Sequence, residues 1–461
     1  MLRSETLPVA LHGLLQVFRS CFTAPSFHTF SMLTVGLICR TGPGTVCGML
    51  TAAGLAGTWH HSRAHWFFTH ARWQADSLGL ALAGMIIDRL LPADAPVEVA
   101  VDDTLLRRSG RKIYATAWHH DATSPTGRRN AIAWGNNWIV VGILITLPFT
   151  TRPVCLPILA RLWRTGDNHK SVTARHLVEL LAALRPDRQV HVVADAFYGT
   201  KHWRGIGEQG AGEQGQNITL TVRLRANAAL TEIHTPTPDQ PHTGPPRSGL
   251  PGRPKLRGTK IGRPDVLATR EPWQPTTITR YGRTDTTHLI DYHCLWTGPL
   301  LSRPIRVILL RDDPTQPRYD NRAYDLALLT TDLTSTAAQI IARYATRWAI
   351  EVAFHEAKHL TGVGHARNRT QQAVERTVPF GLLTHSLVIC WYALTGHQPG
   401  DITDRRRAAP WYNLKTEPSY QDMIVKLRRV LIAARFKPAI PRPATTEETL
   451  AVHQAWANAA A

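Results

Sequence analysis

Two apolar, strand-like runs that each stop at a carboxylate constrain this chain more than any other feature. Val97-Glu98-Val99-Ala100-Val101 alternates after Pro96 and ends at Asp102-Asp103-Thr104, and Gln189-Val190-His191-Val192-Val193-Ala194 reads as a buried strand ending at Asp195. Between them, Trp134–Leu147 reads as one strand or a pair, and Thr173–Leu184 has the 3.6-residue apolar period of a helix. Asn217–Leu224 is the next strand. A β-β-α-β order with acids closing two strands predicts a mixed α/β sheet flanked by helices, with a site at its strand ends.

Charge points to the partner. The 461 residues include 53 Lys and Arg against 34 Asp and Glu, a net +19, and the isoelectric point is near 10.2. That excess is expected of a protein that meets a polyanion, with nucleic acid first in line. At 43% hydrophobic and 19% charged residues, with mean hydropathy −0.18, the chain has neither a disordered nor a membrane composition. No run reaches the roughly 18 uninterrupted apolar residues of a membrane span, and Pro8 interrupts the place of a signal peptide. Six scattered cysteines form no Cys-x-x-Cys pair, which argues against a disulfide scaffold and a zinc knuckle. A reducing, cytoplasmic location and no membrane partner are expected.

Five segments follow. Residues 1–95 read as helical, with Thr45–Leu55 and the basic aromatic run Trp59–Phe68 compatible with a DNA-binding helix-turn-helix about Gly57. His61 and His65 share a face there, read as facing DNA or solvent rather than holding a metal. A catalytic domain occupies 96–230 and 331–400, interrupted by an insertion at 231–330. Pro, Gly, Thr and basic residues dominate from Thr231 to Thr284, including Gly252-Arg253-Pro254-Lys255 and Gly262-Arg263-Pro264, so no compact core is expected there. Strand-like runs resume at His288–Trp296, Pro304–Leu310 and Tyr324–Thr330. Residues 401–461 form a basic C-terminal region whose Ser419-capped amphipathic helix can pack on the core or touch DNA, and Pro438–Ala461 is expected to be loosely ordered.

The densest signal lies in the second catalytic segment. Thr336 and Gln339 predict a capping box opening a helix that runs to His359, before Gly362 and Gly364. At about 100° per residue, Tyr344, Arg347, Glu351 and Lys358 share one face, while Ile341, Ala345, Trp348, Ala349 and Val352 form an adjacent stripe able to dock on the sheet. Glu356 falls in the sector of that stripe. Phosphodiester cleavage requires an activated oxygen nucleophile and neutralisation of the attacking and leaving oxygens, which two divalent ions can supply. Mg²⁺ prefers a few carboxylate oxygens plus water and phosphate, so Asp102, Asp195 and Glu351 are the candidate catalytic and metal-binding residues.

Tyr-x2-Arg-x3-Glu-x6-Lys, present as Tyr344, Arg347, Glu351 and Lys358, resembles the signature of bacterial insertion-sequence transposases of the DDE superfamily, in the insertion-sequence-four-like group. Val101-Asp102-Asp103-Thr104 and Val193-Ala194-Asp195-Ala196-Phe197-Tyr198-Gly199 resemble that family's first two aspartate motifs, and the long interval from Asp195 to Glu351 fits members with a β-rich insertion. The resemblance implies a ribonuclease-H-like fold and Glu351 as third ligand to two Mg²⁺ ions, with Mn²⁺ as substitute. It further implies that Tyr344, Arg347 and Lys358 contact DNA and that a homodimer cleaves element ends and joins them to target DNA. Adjacent strand residues point oppositely, so only one of Asp102 and Asp103 reaches the site, and motif alignment favours Asp102. The rival expectations are a related nuclease or domesticated transposase that cuts without joining, and a basic DNA-binding protein without chemistry.

Overall fold

The computed structural model describes residues 7–121, 131–207, 217–233, 257–280, 282–313, 323–436 and 445–459. Five helices come first: α1 (Val9–Gln16), α2 (Ala24–Cys39), α3 (Val46–Ala52), α4 (His61–Thr69) and α5 (Ala75–Leu90). The sheet begins with β1 (Val97–Arg107), β2 (Ala117–His120), β3 (Ile132–Ile145) and β4 (Val154–Trp163). Helix α6 (Lys170–Leu184) then crosses to β5 (Val190–Ala194) and β6 (Ile218–Arg223). Next come β7 (Leu230–Ile233), β8 (Arg257–Gly262), α7 (Pro264–Arg270), β9 (Gln274–Arg280), β10 (Arg283–Leu295), α8 (Thr297–Leu300), β11 (Pro304–Arg311) and β12 (Leu326–Thr330). Helices α9 (Ala337–Ala345), α10 (Ala349–Glu356), α11 (Gln371–Trp391), α12 (Asp401–Ala408), α13 (Tyr420–Phe436) and α14 (Thr446–Ala459) complete the chain.

Pairing defines the architecture. β4, β3 and β1 are antiparallel neighbours, whereas β1, β5 and β6 run parallel, giving the order β4-β3-β1-β5-β6. Three antiparallel strands followed by a helical crossover to parallel strands is the ribonuclease-H-like mixed sheet expected from the sequence. The insertion extends this sheet, because β12 pairs antiparallel with β6 and leads outward through β11 and β10. One face buries Val99, Val101, Val192 and Ala194 in a cluster shared with Leu177, Val178 and Leu181 of α6. The other face buries Ala100, Trp138, Val140 and Val193 with Ala349, Ile350 and Ala353 of α10.

Several expectations change. β1 does not end at Asp102 but continues through Arg107, because Asp102 to Arg107 keep pairing with β3 after β5 has stopped. The run Trp134–Leu147 belongs to one long strand, Ile132–Ile145, rather than a pair, and β4, which pairs along it, was not anticipated. Residues 257–280 join a core after all: Leu267 and Ile278 are buried, and β8 and β9 pair with β7 and β10. Gly252-Arg253-Pro254-Lys255 lies outside the described residues. The tail carries α14 where loose order was expected. In α13, Tyr420, Met423, Ile424, Leu427 and Leu431 are buried, and Arg428 donates to the Ile38 carbonyl at 2.7 Å, so the helix packs on the core.

The amino-terminal helices share this core. Phe30 and Phe68 meet Phe380 of α11 edge to face, with ring centroids 6.0 and 5.3 Å apart. Residues 371–396 are long and apolar enough to cross a membrane, but 89% of their apolar window is buried inside the fold, as in a central core helix. Gly79 of α5 lets the helix touch β4, since a Cβ there would stand 2.1 Å from the Ile158 carbonyl oxygen. Gly79→Val is therefore expected to destabilise the whole protein by roughly 1–3 kcal/mol or more, an overpacking cost. A chemical-denaturation midpoint equal to wild type would show that the helical layer is not docked in this way.

Candidate active site

The parallel pairing of β1 with β5 builds the site. Its last matched residues are Val101 and Ala194, so Asp102 and Asp195 occupy the next step on adjacent strands, about 4.8 Å apart in such a sheet. Side chains alternate along a strand, so Asp102 shares a face with Ala100, and Asp195 with Val193. That is the face covered by α10. Asp103 points the other way, where its Oδ2 accepts from Lys170 at 2.6 Å and from Asn137 at 3.0 Å, and its Oδ1 from Tyr198 at 3.4 Å. The geometry thus separates the adjacent aspartates and puts Asp102 on the side of Glu351.

The segment bearing Glu351 is a relay of short helices. Thr336 and Gln339 form the predicted capping box, and α9 then gives way to a 3₁₀ turn at Thr346–Trp348, to α10, and to a π turn at Ala357–Thr361. Gly362 closes the turn at φ +82°, a left-handed conformation suited to glycine. These changes of winding rotate later residues away from an ideal helical wheel. Ala349, Ile350, Ala353 and Ala357 face the sheet, whereas Trp348 and Val352, expected to dock, are 55% and 44% exposed. Glu356 leaves the stripe to meet buried His385, Oε2 to Nε2 at 3.3 Å.

Arg347 joins the candidates. Its guanidinium donates to Asp102 Oδ2 at 3.2 Å and to Glu351 Oε1 at 2.8 Å, with Arg347 and Asp102 side chains only 15% and 16% exposed. Burial works against the charge, but Asp102, Tyr344 and Glu351 hold the Arg347 pKa above its usual value. Tyr344 stands in the field of Arg347, Arg223 and Asp195, its phenol pKa raised chiefly by burial. The structure thus gathers Asp102, Asp195, Glu351, Arg347 and Tyr344. Lys358 lies beside a different group, the Asp121–Arg107 ion pair, and burial lowers its pKa. Arg107 is five residues beyond Asp102, roughly 16 Å along an extended strand.

Electrostatics mark the same place. Burial, with help from the neighbouring Asp195 and Asp103 charges, pushes the Asp102 carboxyl up to about 7, and Arg347 offsets only part of this. Asp195 is also raised, chiefly by burial, although the Phe197 amide and Arg347 favour its charged form. Among the described residues no three potential ligands stand close enough to form a finished metal cage; Arg347 lies between Asp102 and Glu351. The donor set is nonetheless all oxygen, and its crowded carboxylates call for positive charge, so it fits hard divalent cations.

Asp102 also fixes a sign. A carboxyl whose pKa rises on folding stabilises the fold fully below its unfolded value, and that contribution disappears as pH climbs through the folded value near 7. In EDTA, Asp102→Asn, which stays neutral, is therefore expected to melt increasingly above wild type as pH goes from 5.5 to 8, reaching a few degrees. A gap that stays constant or reverses in thermal melts would contradict the burial of a carboxylate that Arg347 compensates only in part.

Comparison with known proteins assigns the chain to a family. A model described as DDE superfamily endonuclease matches residues 17–285, which include Asp102 and Asp195 and stop before Glu351. No curated protein matches. Among solved structures, the chain resembles a piggyBac transposase in a synaptic complex with hairpin DNA at 9% identity and a TM-score of 0.39, over 99% of this chain and 82% of that one. The family match spans more than half of the sequence and encloses the β1–β5 pairing that sets two carboxylates side by side, and the chain belongs to the DDE superfamily endonucleases.

Proposed function

We propose that the protein is a DNA transposase of the insertion-sequence-four-like group, cleaving phosphodiester bonds at element ends and joining the freed strand to target DNA. The observation that carries this reading is the Arg347 guanidinium bridging Asp102 and Glu351, with Asp195 one strand away on the same face. Asp102, Asp195 and Glu351 would hold two Mg²⁺ or Mn²⁺ ions, which when bound activate the attacking oxygen and neutralise charge on the leaving one. Arg347 then has a second use. Its fork matches a phosphate as well as a carboxylate, so it can pass from Asp102 to the DNA backbone when substrate enters. Tyr344, partly buried beside it, fixes the direction of that approach, and Lys358, beside the Asp121–Arg107 pair, adds a further point charge.

The rest of the surface supports a DNA partner. In α4 the faces divide cleanly: Phe67 and Phe68 enter the core while His61, Arg63, His65 and Trp66 remain exposed. This exposed edge, within residues 1–95, is the proposed reader of element ends, acting in a homodimer in the cytoplasm. A nuclease that cuts without joining would use the same residues, since joining replaces water with a DNA 3′ hydroxyl.

Purified protein, its own flanking ends and Mg²⁺ or Mn²⁺ test the reading. Sequenced products are expected to show cleavage and joining, both lost in Asp102→Ala, Asp195→Ala and Glu351→Ala while DNA binding persists. Arg347→Ala is expected to cost on the order of 100-fold in cleavage rate, the scale of a 1 Å misplacement, with little loss of affinity. Arg406→Ala, in the tail, should change neither. Full activity in Asp195→Ala, or equal rate and affinity losses at Arg347, would reject the proposal.

A further inference from the structure

The first aspartate motif contains a second acid that the chemistry does not use. Asp103 lies behind the sheet in a contact set of its own, formed by Lys170 at the first turn of α6, Asn137 of β3 and the phenol of Tyr198. Tyr198 is fully buried and belongs to the 3₁₀ turn Ala196–Tyr198 that directly follows Asp195. That turn also orients Asp195: the Phe197 amide donates to its Oδ1 at 2.9 Å, and the Tyr198 amide favours its ionised form. The side chain of Phe197 is held in turn, stacked on His169 with ring centroids 4.9 Å apart, and the Lys170 ammonium lies 5.5 Å from its ring centre. A chain of contacts therefore runs from Asp103 through Tyr198 to the second candidate ligand.

From this we infer that Asp103 is a positioning residue: with Lys170 it anchors Tyr198 and thereby fixes the turn that aims the Asp195 carboxylate at the metal site. The adjacent aspartates divide the work by strand alternation, Asp102 facing the metals and Asp103 holding the scaffold of Asp195 from behind. Partners that orient a ligand commonly change metal affinity by about 10–100-fold when removed. The inference rests on the proposal that Asp102, Asp195 and Glu351 bind divalent metal.

Mn²⁺ titration of the full-length protein, followed by calorimetry and by electron paramagnetic resonance, tests it without recourse to activity. Asp103→Asn and Tyr198→Phe, the second lacking a single oxygen atom, are each expected to weaken Mn²⁺ binding by about tenfold with DNA affinity unchanged. The double variant should lose no more than the worse single variant, because both cut the same chain. Wild-type Mn²⁺ affinity in folded Tyr198→Phe, or losses that multiply in the double variant, would overturn the inference and leave the metal site intact. A wild-type protein that takes up no Mn²⁺ would reject both the inference and the reading beneath it.

Discussion

Like charges brought together inside a protein must be compensated, and that requirement organises this molecule. The parallel register of β1 and β5 makes Asp102 and Asp195 neighbours on one face of the sheet, and the helical relay adds Glu351 to that face. Burying such carboxylates favours their neutral forms, which is why Asp102 is pushed up to about 7. Arg347 is the local compensation, reaching two of the three acids from the 3₁₀ turn between α9 and α10. One guanidinium cannot balance three carboxylates. In the proposed function, the surplus negative charge is what divalent cations would balance, freeing Arg347 from Asp102.

The remaining architecture keeps those groups in register. Helix α10 covers the front of the sheet with Ala349, Ile350, Ala353 and Phe354, and holds Glu351 where Arg347 bonds it at 2.8 Å. Helix α6 covers the back, with Lys170 reaching Asp103 at 2.6 Å. Further support comes from a buried network below the site, where Arg343 of α9 bonds Asp332 at 2.9 Å and Glu98 of β1 at 3.3 Å. This ties the helix that precedes Arg347 to the strand that carries Asp102. Removing one member of such a network leaves an unpaired buried charge, a more costly change than replacing the pair.

Much of the site is legible in the sequence because its cues are local. Apolar runs ending in Asp102 and Asp195, and a Thr336–Gln339 capping box before Glu351, survive folding because strand pairing and capping act over a few residues. Long-range packing is less legible. The extension of β1 through Arg107 depends on β3, whose partners run from Val140 opposite Asp102 to Gly135 opposite Arg107, and β4 is set by pairing rather than by its own pattern. The helical wheel misplaces Trp348 and Val352 because the 3₁₀ turn before α10 shifts the phase the wheel assumes, and Lys358, two helical turns beyond Glu351, lies beside the Asp121–Arg107 pair instead. Strand alternation does show that Asp103 faces away from Asp102. It cannot show that Tyr198 meets Asp103, since that contact requires β1, β5 and the turn beyond Asp195 to be assembled.

Anomalous diffraction from crystals grown with Mn²⁺ and an element-end DNA duplex tests the central claim most directly. The account predicts manganese peaks bounded by Asp102, Asp195 and Glu351, with Arg347 withdrawn from Asp102 onto a DNA phosphate and Asp103 still paired with Lys170. Manganese bound at Asp103, or Arg347 still bridging Asp102 and Glu351 with no metal beside them, would contradict it.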